Sequence, residues 1–247
     1  MGKVNIAEQF ALMKEPGAPK VVAKLNGQVV ELVLLKGEIA WHCHKNEDEL
    51  FLVIKGRIRI DFRDRQVWLE EGEFLVAPRG VEHHPVAEEE AYVLLFEPDA
   101  TRNTSAVQNE KTLAGGGKGE LIKQGCVIEK VNIAEKFAQI KECWSPKIAA
   151  ELNGQVVKLV KLDKGELVWH HHENEDEMFL VTRGQMRIDF RNRQVWLSAG
   201  ELIVVPHGVE HIPVVEEEAH QLLFEPENTS NTGNVQNEMT LTSLDRI

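Results

Sequence analysis

Most of this chain of 247 residues is written twice. VNIAEQFALMKEPGAPK (4–20) returns as VNIAEKFAQIKECWSPK (131–147), and LNGQVVELV (25–33) as LNGQVVKLV (152–160). After one extra residue near Asp163, RIDFRDRQVWL (59–69) returns as RIDFRNRQVWL (187–197), and even the polar tails agree, 107–110 with 235–238. A period of 127 to 128 residues is the length of a whole domain, too long for a solenoid unit. The chain is therefore expected to fold as two copies of one domain, residues 1–113 and 131–247. The stretch 114–130, with its Gly-Gly-Gly cluster, has the composition of a flexible linker.

Each copy opens with a short helix signal. Asn5 with Glu8, and Asn132 with Glu135, have the spacing of a helix N-cap and its third residue, and Ile6, Phe10 and Met13 fall roughly on one face. The remainder of each copy is strand-like, in Val-, Ile-, Leu- and Phe-rich runs broken by Gly, Pro, Asn and Asp. In the first copy these are 28–35, 38–44, 49–54, 57–62, 66–69, 73–77 and 91–96. Many short strands with no helices between them predict an all-β fold, an antiparallel sandwich or barrel in each half.

Composition narrows the class. A formal net charge of −12 repels a nucleic-acid backbone, so no nucleic acid is expected as a partner. No basic segment or helix-turn-helix pattern precedes the strands. There is no apolar run of transmembrane length and no secretory signal, so no membrane partner is expected. The three cysteines, Cys43, Cys126 and Cys143, have no paired spacing, which predicts reduced thiols and a cytoplasmic protein.

Chemistry concentrates in GEIAWHCHKNEDELFLVIKG (37–56) and GEFLVAPRGVEH (72–83). These supply His42, His44, Glu49 and His83. The second copy repeats the set as His170, His172, Glu177 and His211, and six of the ten histidines stand at these eight positions. A lone His-x-His reads more simply as a hydrogen-bonded polar strip, but a four-residue set recurring at nearly the same spacing reads as a ligand set. On a strand, His42 and His44 share a face and Cys43 takes the other; Glu49 joins them if the chain turns at 45–48. Three imidazoles and a carboxylate suit a divalent transition metal, Fe, Mn, Zn, Ni or Cu, more than Ca or Mg. One metal per copy is expected.

The spacing Gly37-x4-His42-x-His44-x4-Glu49-x6-Gly56, then Gly72-x5-Pro78-x-Gly80-x2-His83, resembles the two signature motifs of the cupin superfamily. The second half matches with Gly165, His170, His172, Glu177, Gly184, Gly200, Pro206, Gly208 and His211. Two departures leave the ligands untouched: a first gap one residue short, and Ala87 and Val215 where many cupins have Asn. The resemblance implies a bicupin, two tandem double-stranded β-helix (jelly-roll) barrels, each with four ligands converging in its mouth.

A two-residue hairpin at Lys55-Gly56 would place Phe51, Val53, Ile58, Ile60 and Phe62 inside, and Leu50, Leu52, Ile54, Arg57, Arg59 and Asp61 outside. The same count puts Phe179, Val181, Met186, Ile188 and Phe190 inside the second copy. That wall is apolar and offers no Lys or Arg, which disfavours a sugar-phosphate isomerase. It suits a small, partly apolar organic ligand. The outer apolar strip at Leu50, Leu52 and Leu180 needs a cover, and the expectation is that the two barrels pack on each other, with a homo-oligomer as a further possibility. Around the sites the copies differ: Cys43 becomes His171, Arg79 becomes His207, His84 becomes Ile212 and Tyr92 becomes His220. His84 reads as a rim residue, Tyr92 and His220 are candidates to reach the mouth, and Trp41 and Trp169 read as packing. Glu88-Glu89-Glu90 and 216–218 read as solvated turns. No catalytic acid or base is assigned. A metalloenzyme of iron-dependent dioxygenase type is the leading reading, and a non-catalytic metal- or ligand-binding or sensing protein is the alternative.

Overall fold

The computed structural model describes residues 2–99 and 128–247. Most of the expected linker, the first copy's polar tail and Cys126 lie outside the described residues. The elements, in order, are β1 (Val4–Asn5), α1 (Ile6–Ala11), β2 (Lys20–Leu25), β3 (Gln28–Glu38), β4 (Glu49–Lys55), β5 (Arg57–Phe62), β6 (Gln66–Glu70), β7 (Glu73–Ala77) and β8 (His83–Pro98). The second series is β9 (Val131–Asn132), α2 (Ile133–Gln139), β10 (Lys147–Leu152), β11 (Gln155–Leu162), β12 (Gly165–Glu166), β13 (Glu177–Arg183), β14 (Gln185–Phe190), β15 (Arg193–Ser198), β16 (Glu201–Val205), β17 (His211–Val215) and β18 (Ala219–Pro226). Each series folds as an antiparallel jelly-roll barrel, so the fold is all-β with two tandem barrels.

The two compact units are not the two copies as written. One comprises Phe10–Ile133; the other joins Met1–Gln9 to Ala134–Ile247. Within the second unit, β1 adds to the edge of β16, with Val4 opposite Leu202, and Lys3 Nζ lies 2.8 Å from the Glu201 carboxylate. Within the first unit, β9 adds to β7, with Val131 opposite Phe74 and Lys130 Nζ 2.7 Å from Glu73. Each opening arm thus completes the barrel built from the other copy, and the division differs from 1–113 and 131–247. Identical arm sequences fit equivalent edges, so repetition alone does not say which edge each arm takes. The expected N-cap is present, with Glu8 N–H donating to Asn5 Oδ1 at 3.0 Å.

Turn chemistry sets the first hairpin of each barrel. Asn26-Gly27 and Asn153-Gly154 both have positive φ, the primed two-residue turn that lets Leu25 face Gln28 and Leu152 face Gln155. The corner at Gly56 departs from the sequence expectation. β4 does not pair with β5; it lies between β7 and β8, while β5 pairs with β6 and with the first part of β8. Lys55-Gly56 is therefore a crossing between sheets, not a hairpin. Gly56 (φ 83°) and its copy Gly184 (φ 75°) make the bend, where a side chain would press on the carbonyls of Glu90 and Glu218. Alternation survives the corner, so the inside assignment holds. Phe51, Val53, Ile58, Ile60 and Phe62 join one interior cluster, and Phe179, Val181, Met186, Ile188 and Phe190 the other. Leu50, Leu52 and Leu180 are also buried.

Two further readings change. The run 38–44 is largely irregular: β3 ends at Glu38, and His42 meets His83 only in an isolated bridge. Glu88–Glu90 is exposed but lies inside β8, a strand that runs on from one sheet to the other. Residues 216–218 do interrupt the second copy, between β17 and β18.

Candidate metal centres

Each ligand is placed by backbone contacts that the motif's glycines and aspartates supply. His42 and His83 exchange N–H···O bonds of 3.1 and 2.9 Å, which brings the two parts of the motif face to face. Gly80 N–H donates to His44 O at 2.7 Å, and Asp48 accepts from both the backbone and the guanidinium of Arg79. This fixes the turn at 45–48 so that Glu49, at the start of β4, points back toward the histidines. The second centre repeats it: His170 bridges His211, Gly208 N–H donates to His172 O at 2.6 Å, and Asp176 accepts from His207 N–H. Neither His-x-His pair lies on a regular strand, yet the rings converge, and Cys43 between them is exposed as expected.

The structure brings together all eight residues singled out in the sequence, in two groups of four. Within each group one ligand atom per residue lies within 4.8 Å of the others. Glu49 Oε2 stands 3.1 Å from His44 Nε2 and His83 Nε2 and 3.8 Å from His42 Nε2. Glu177 Oε2 stands 3.2 Å from His172 Nε2 and 3.3 Å from His211 Nε2. Neighbouring ligands held at about 2.2 Å around one octahedral ion would be separated by about 3.1 Å.

The donor chemistry tests whether a cation fits. His83 Nδ1–H donates to Val81 O at 3.0 Å and His42 Nδ1–H to Ala40 O at 2.8 Å. His170 and His211 do the same toward Val168 O and Val209 O, at 2.8 and 3.0 Å. In a neutral ring this leaves Nε2 as a lone pair, the ligand form. A lone pair facing a carboxylate oxygen at 3.1 Å is repulsive unless positive charge stands between them, as a proton on each ring or as one cation shared by all. A divalent cation answers that demand once per site, whereas several buried imidazolium ions in one cluster would repel one another.

The titration behaviour has the same source. Burial would raise the Glu49 carboxyl, but the facing imidazoles of His42, His44 and His83 outweigh it and hold it well below the usual carboxylate range. Glu177 is likewise held down, against burial, by His172 and His211. His42 and His172 are raised because their facing carboxylates overcome burial. His170 is pushed down to about 4, first by burial and then by His211.

Around the first centre Phe51 meets His83 edge-on, with centroids 5.7 Å apart; Phe179 does the same to His211 at 5.8 Å. The flanking candidates resolve as packing. Tyr92 stacks on Phe10 at 4.5 Å and His220 on Phe137 at 4.2 Å. Both side chains take the outward parity of β8 and β18, so neither candidate reaches the mouth. His84 stacks on Trp41 and faces Asp61, a rim position, and the Arg63 and Arg191 guanidinium groups lie 3.9 Å over Trp41 and Trp169.

The second centre opens on a cavity of about 30 Å³, lined in part by His170, Glu177, Phe179, Leu223, Trp144, Gln221 and Asn231. None of its lining residues is Lys or Arg. A lysine does stand elsewhere in this barrel's interior, which the count over 177–190 did not cover. Lys158, fully buried, places Nζ 2.8 Å from Glu225 Oε1 and 3.3 Å from Thr229 O. The Glu225 carboxyl is raised to about 7, by burial first and by the Glu177 charge second, with Lys158 opposing.

Gln221 was not singled out from sequence. Its signal was available in the repeat alignment, where it replaces Val93. Its Oε1 is buried with no hydrogen-bond partner among the described residues, an arrangement that costs about 1–3 kcal/mol when nothing satisfies it.

The family model described as "Cupin domain" (Cupin_2) matches twice, at residues 30–97 and 158–224. An uncharacterized protein of Bacillus subtilis (strain 168), YdbB, is 36% identical over 72 residues, 29% of this chain and 64% of that protein, so the chain spans less than two thirds of that relative. Among solved structures, a cupin 2 conserved barrel domain protein from Leptotrichia buccalis aligns with a TM-score of 0.67 at 14% identity, covering 91% of this chain and 96% of that one. A salicylate 1,2-dioxygenase from Pseudaminobacter salicylatoxidans aligns with a TM-score of 0.63 at 13% identity, over 90% of this chain and 80% of that one. At such identities these likenesses speak for the fold alone.

Proposed function

The chain belongs to the cupin family, and from that premise we propose that it is a metalloenzyme with one divalent transition metal per barrel, acting on a small, partly apolar organic substrate by iron-dependent dioxygenase chemistry. The observation that carries the reading is the ligand set itself: three imidazoles and one carboxylate converge at metal-shell distances beneath an apolar wall. His42, His44, Glu49 and His83 would hold one ion, and His170, His172, Glu177 and His211 the other. Iron held by either set would supply oxygen activation. The protein contributes the rest. Backbone carbonyls at residues 40, 81, 168 and 209 hold four of the six imidazoles in their ligand tautomer. Phe51 and Phe179 keep the ligand rings in an apolar, water-poor setting. No acid or base beyond the ligands lines the second cavity, which favours a reaction that needs none.

The salicylate 1,2-dioxygenase is similar in fold, which is compatible with this reading, and at 13% identity it does not carry it. The test is metal analysis of protein purified without added metal, then oxygen-electrode assays of the iron-loaded chain with small aromatic and enolic acids. Iron near two equivalents with substrate-dependent oxygen uptake is the expected result. Zinc at both sites with no oxygen uptake would overturn it in favour of a binding or sensing protein.

A further inference from the structure

The second centre carries Gln221 and Trp144 where the first copy has Val93 and Gly17. Gln221 sits on β18 between Ala219 and Leu223, both in the interior cluster, so strand alternation turns its amide inward. It lies opposite Val160 on one side and Val181 on the other, and it is 4% exposed. The equivalent Val93 lies opposite Val33 and Val53 and completes an apolar ring. An amide in a ring of valines, lining the cavity beside His170 and Glu177 with an unpartnered oxygen, is built to meet a polar group that enters there.

Two neighbours support this. Trp144 also lines the cavity and occupies a left-handed backbone conformation (φ 59°), at the position where the first copy has Gly17 (φ 82°). A bulky residue held there against its preference is retained by its surroundings. Its indole N–H donates to Asp163 at 2.8 Å, which fixes the ring. The C-terminal segment also reaches the site. Asn231, clipped to Met239 O and Leu241 N–H, lines the cavity, and Gly233 approaches His171 O so closely that a Cβ would stand 2.3 Å away.

We propose that Gln221 is the specificity-determining residue of the second centre, selecting a small metal-chelating organic acid that presents one hydrogen-bonding N–H or O–H to its amide and a flat apolar part to Trp144 and Phe179. The proposal rests on the metal reading above. The His44→Ala chain, which keeps only the second centre intact, is loaded with Co(II) and titrated with acetohydroxamate, followed by the visible cobalt spectrum. The two oxygens of this probe chelate the metal and leave its N–H to be met; N-methylacetohydroxamate lacks that N–H. Gln221→Leu is expected to keep its cobalt, to bind acetohydroxamate about five- to tenfold more weakly, and to lose the preference over the N-methyl compound. Gln221→Val, which installs the other copy's residue, serves if the leucine variant does not fold. Equal affinity in cobalt-loaded variant and parent overturns the role of Gln221 and leaves the metal reading standing. A parent chain that binds no cobalt overturns both.

Discussion

The two barrels carry the same four ligands in nearly the same geometry, and different surroundings. In the first, the residue facing inward beside the centre is Val93, and the position equivalent to Lys158 is Glu31, a buried acid. In the second, Gln221 and Trp144 line the cavity, and Lys158 pairs with Glu225 in the interior. Retained ligands with altered walls are what two sites with one kind of ion and two different ligand preferences would require. The difference also shows that duplication constrains the part of a site set by short-range spacing more than the part assembled from distant strands.

The comparison breaks most directly at the metals. His44→Ala is expected to remove one equivalent of bound metal per chain and His172→Ala the other, read by elemental analysis after reconstitution. If either variant keeps two equivalents, the matching site is not a metal centre.

A smaller but still large effect belongs to the second barrel alone. Lys158→Met strands a buried carboxylate, and the expected loss at pH 8 is about 3 kcal/mol, read from the urea midpoint. The sign with pH comes from Glu225, whose folded pKa of about 7 lies above the usual 4.5 and rises further without the ammonium. The folded state then binds a proton that the unfolded state releases. The deficit is therefore small below about pH 4.5 and grows as pH rises through 7. A pH-independent deficit would mean that Glu225 stays ionised and is satisfied by other groups.

The corner glycines give the finest comparison. A Cβ at Gly184 would stand 2.6 Å from Glu218 O, against 3.0 Å for Gly56 and Glu90 O. Gly184→Ala should cost about 2–4 kcal/mol and Gly56→Ala about 1–2 kcal/mol, since both carry the left-handed penalty and only the first has a severe clash. Equal losses in thermal unfolding would mean that the two corners relax alike.

Much of this was legible in the chain before folding. The ligands were readable because Gly37, His42, His44, Glu49 and Gly56 lie within one short stretch and recur. The inside–outside order of Phe51 through Phe62 was readable because alternation is a property of the strand itself. Whether Tyr92 reaches the mouth was left open by the sequence, because strand parity was not carried into the last strand, where Val93 takes the inward position. The hairpin at Lys55-Gly56 failed for a different reason. A glycine announces a bend but not which strand lies across it, and β4 found its partners in β7 and β8.

Periodicity and spacing along the chain were therefore enough for the duplication, the all-β class and the eight residues that cluster in two groups of four. Folding in three dimensions was needed to decide that residues 1–9 complete the unit built from 134–247, that β4 pairs with β8, and that Gln221, Trp144 and Asn231 meet at one cavity. Those outcomes depend on backbone hydrogen bonds and side-chain contacts between residues tens to hundreds of positions apart, and no local pattern encodes which of several compatible partners a strand will meet.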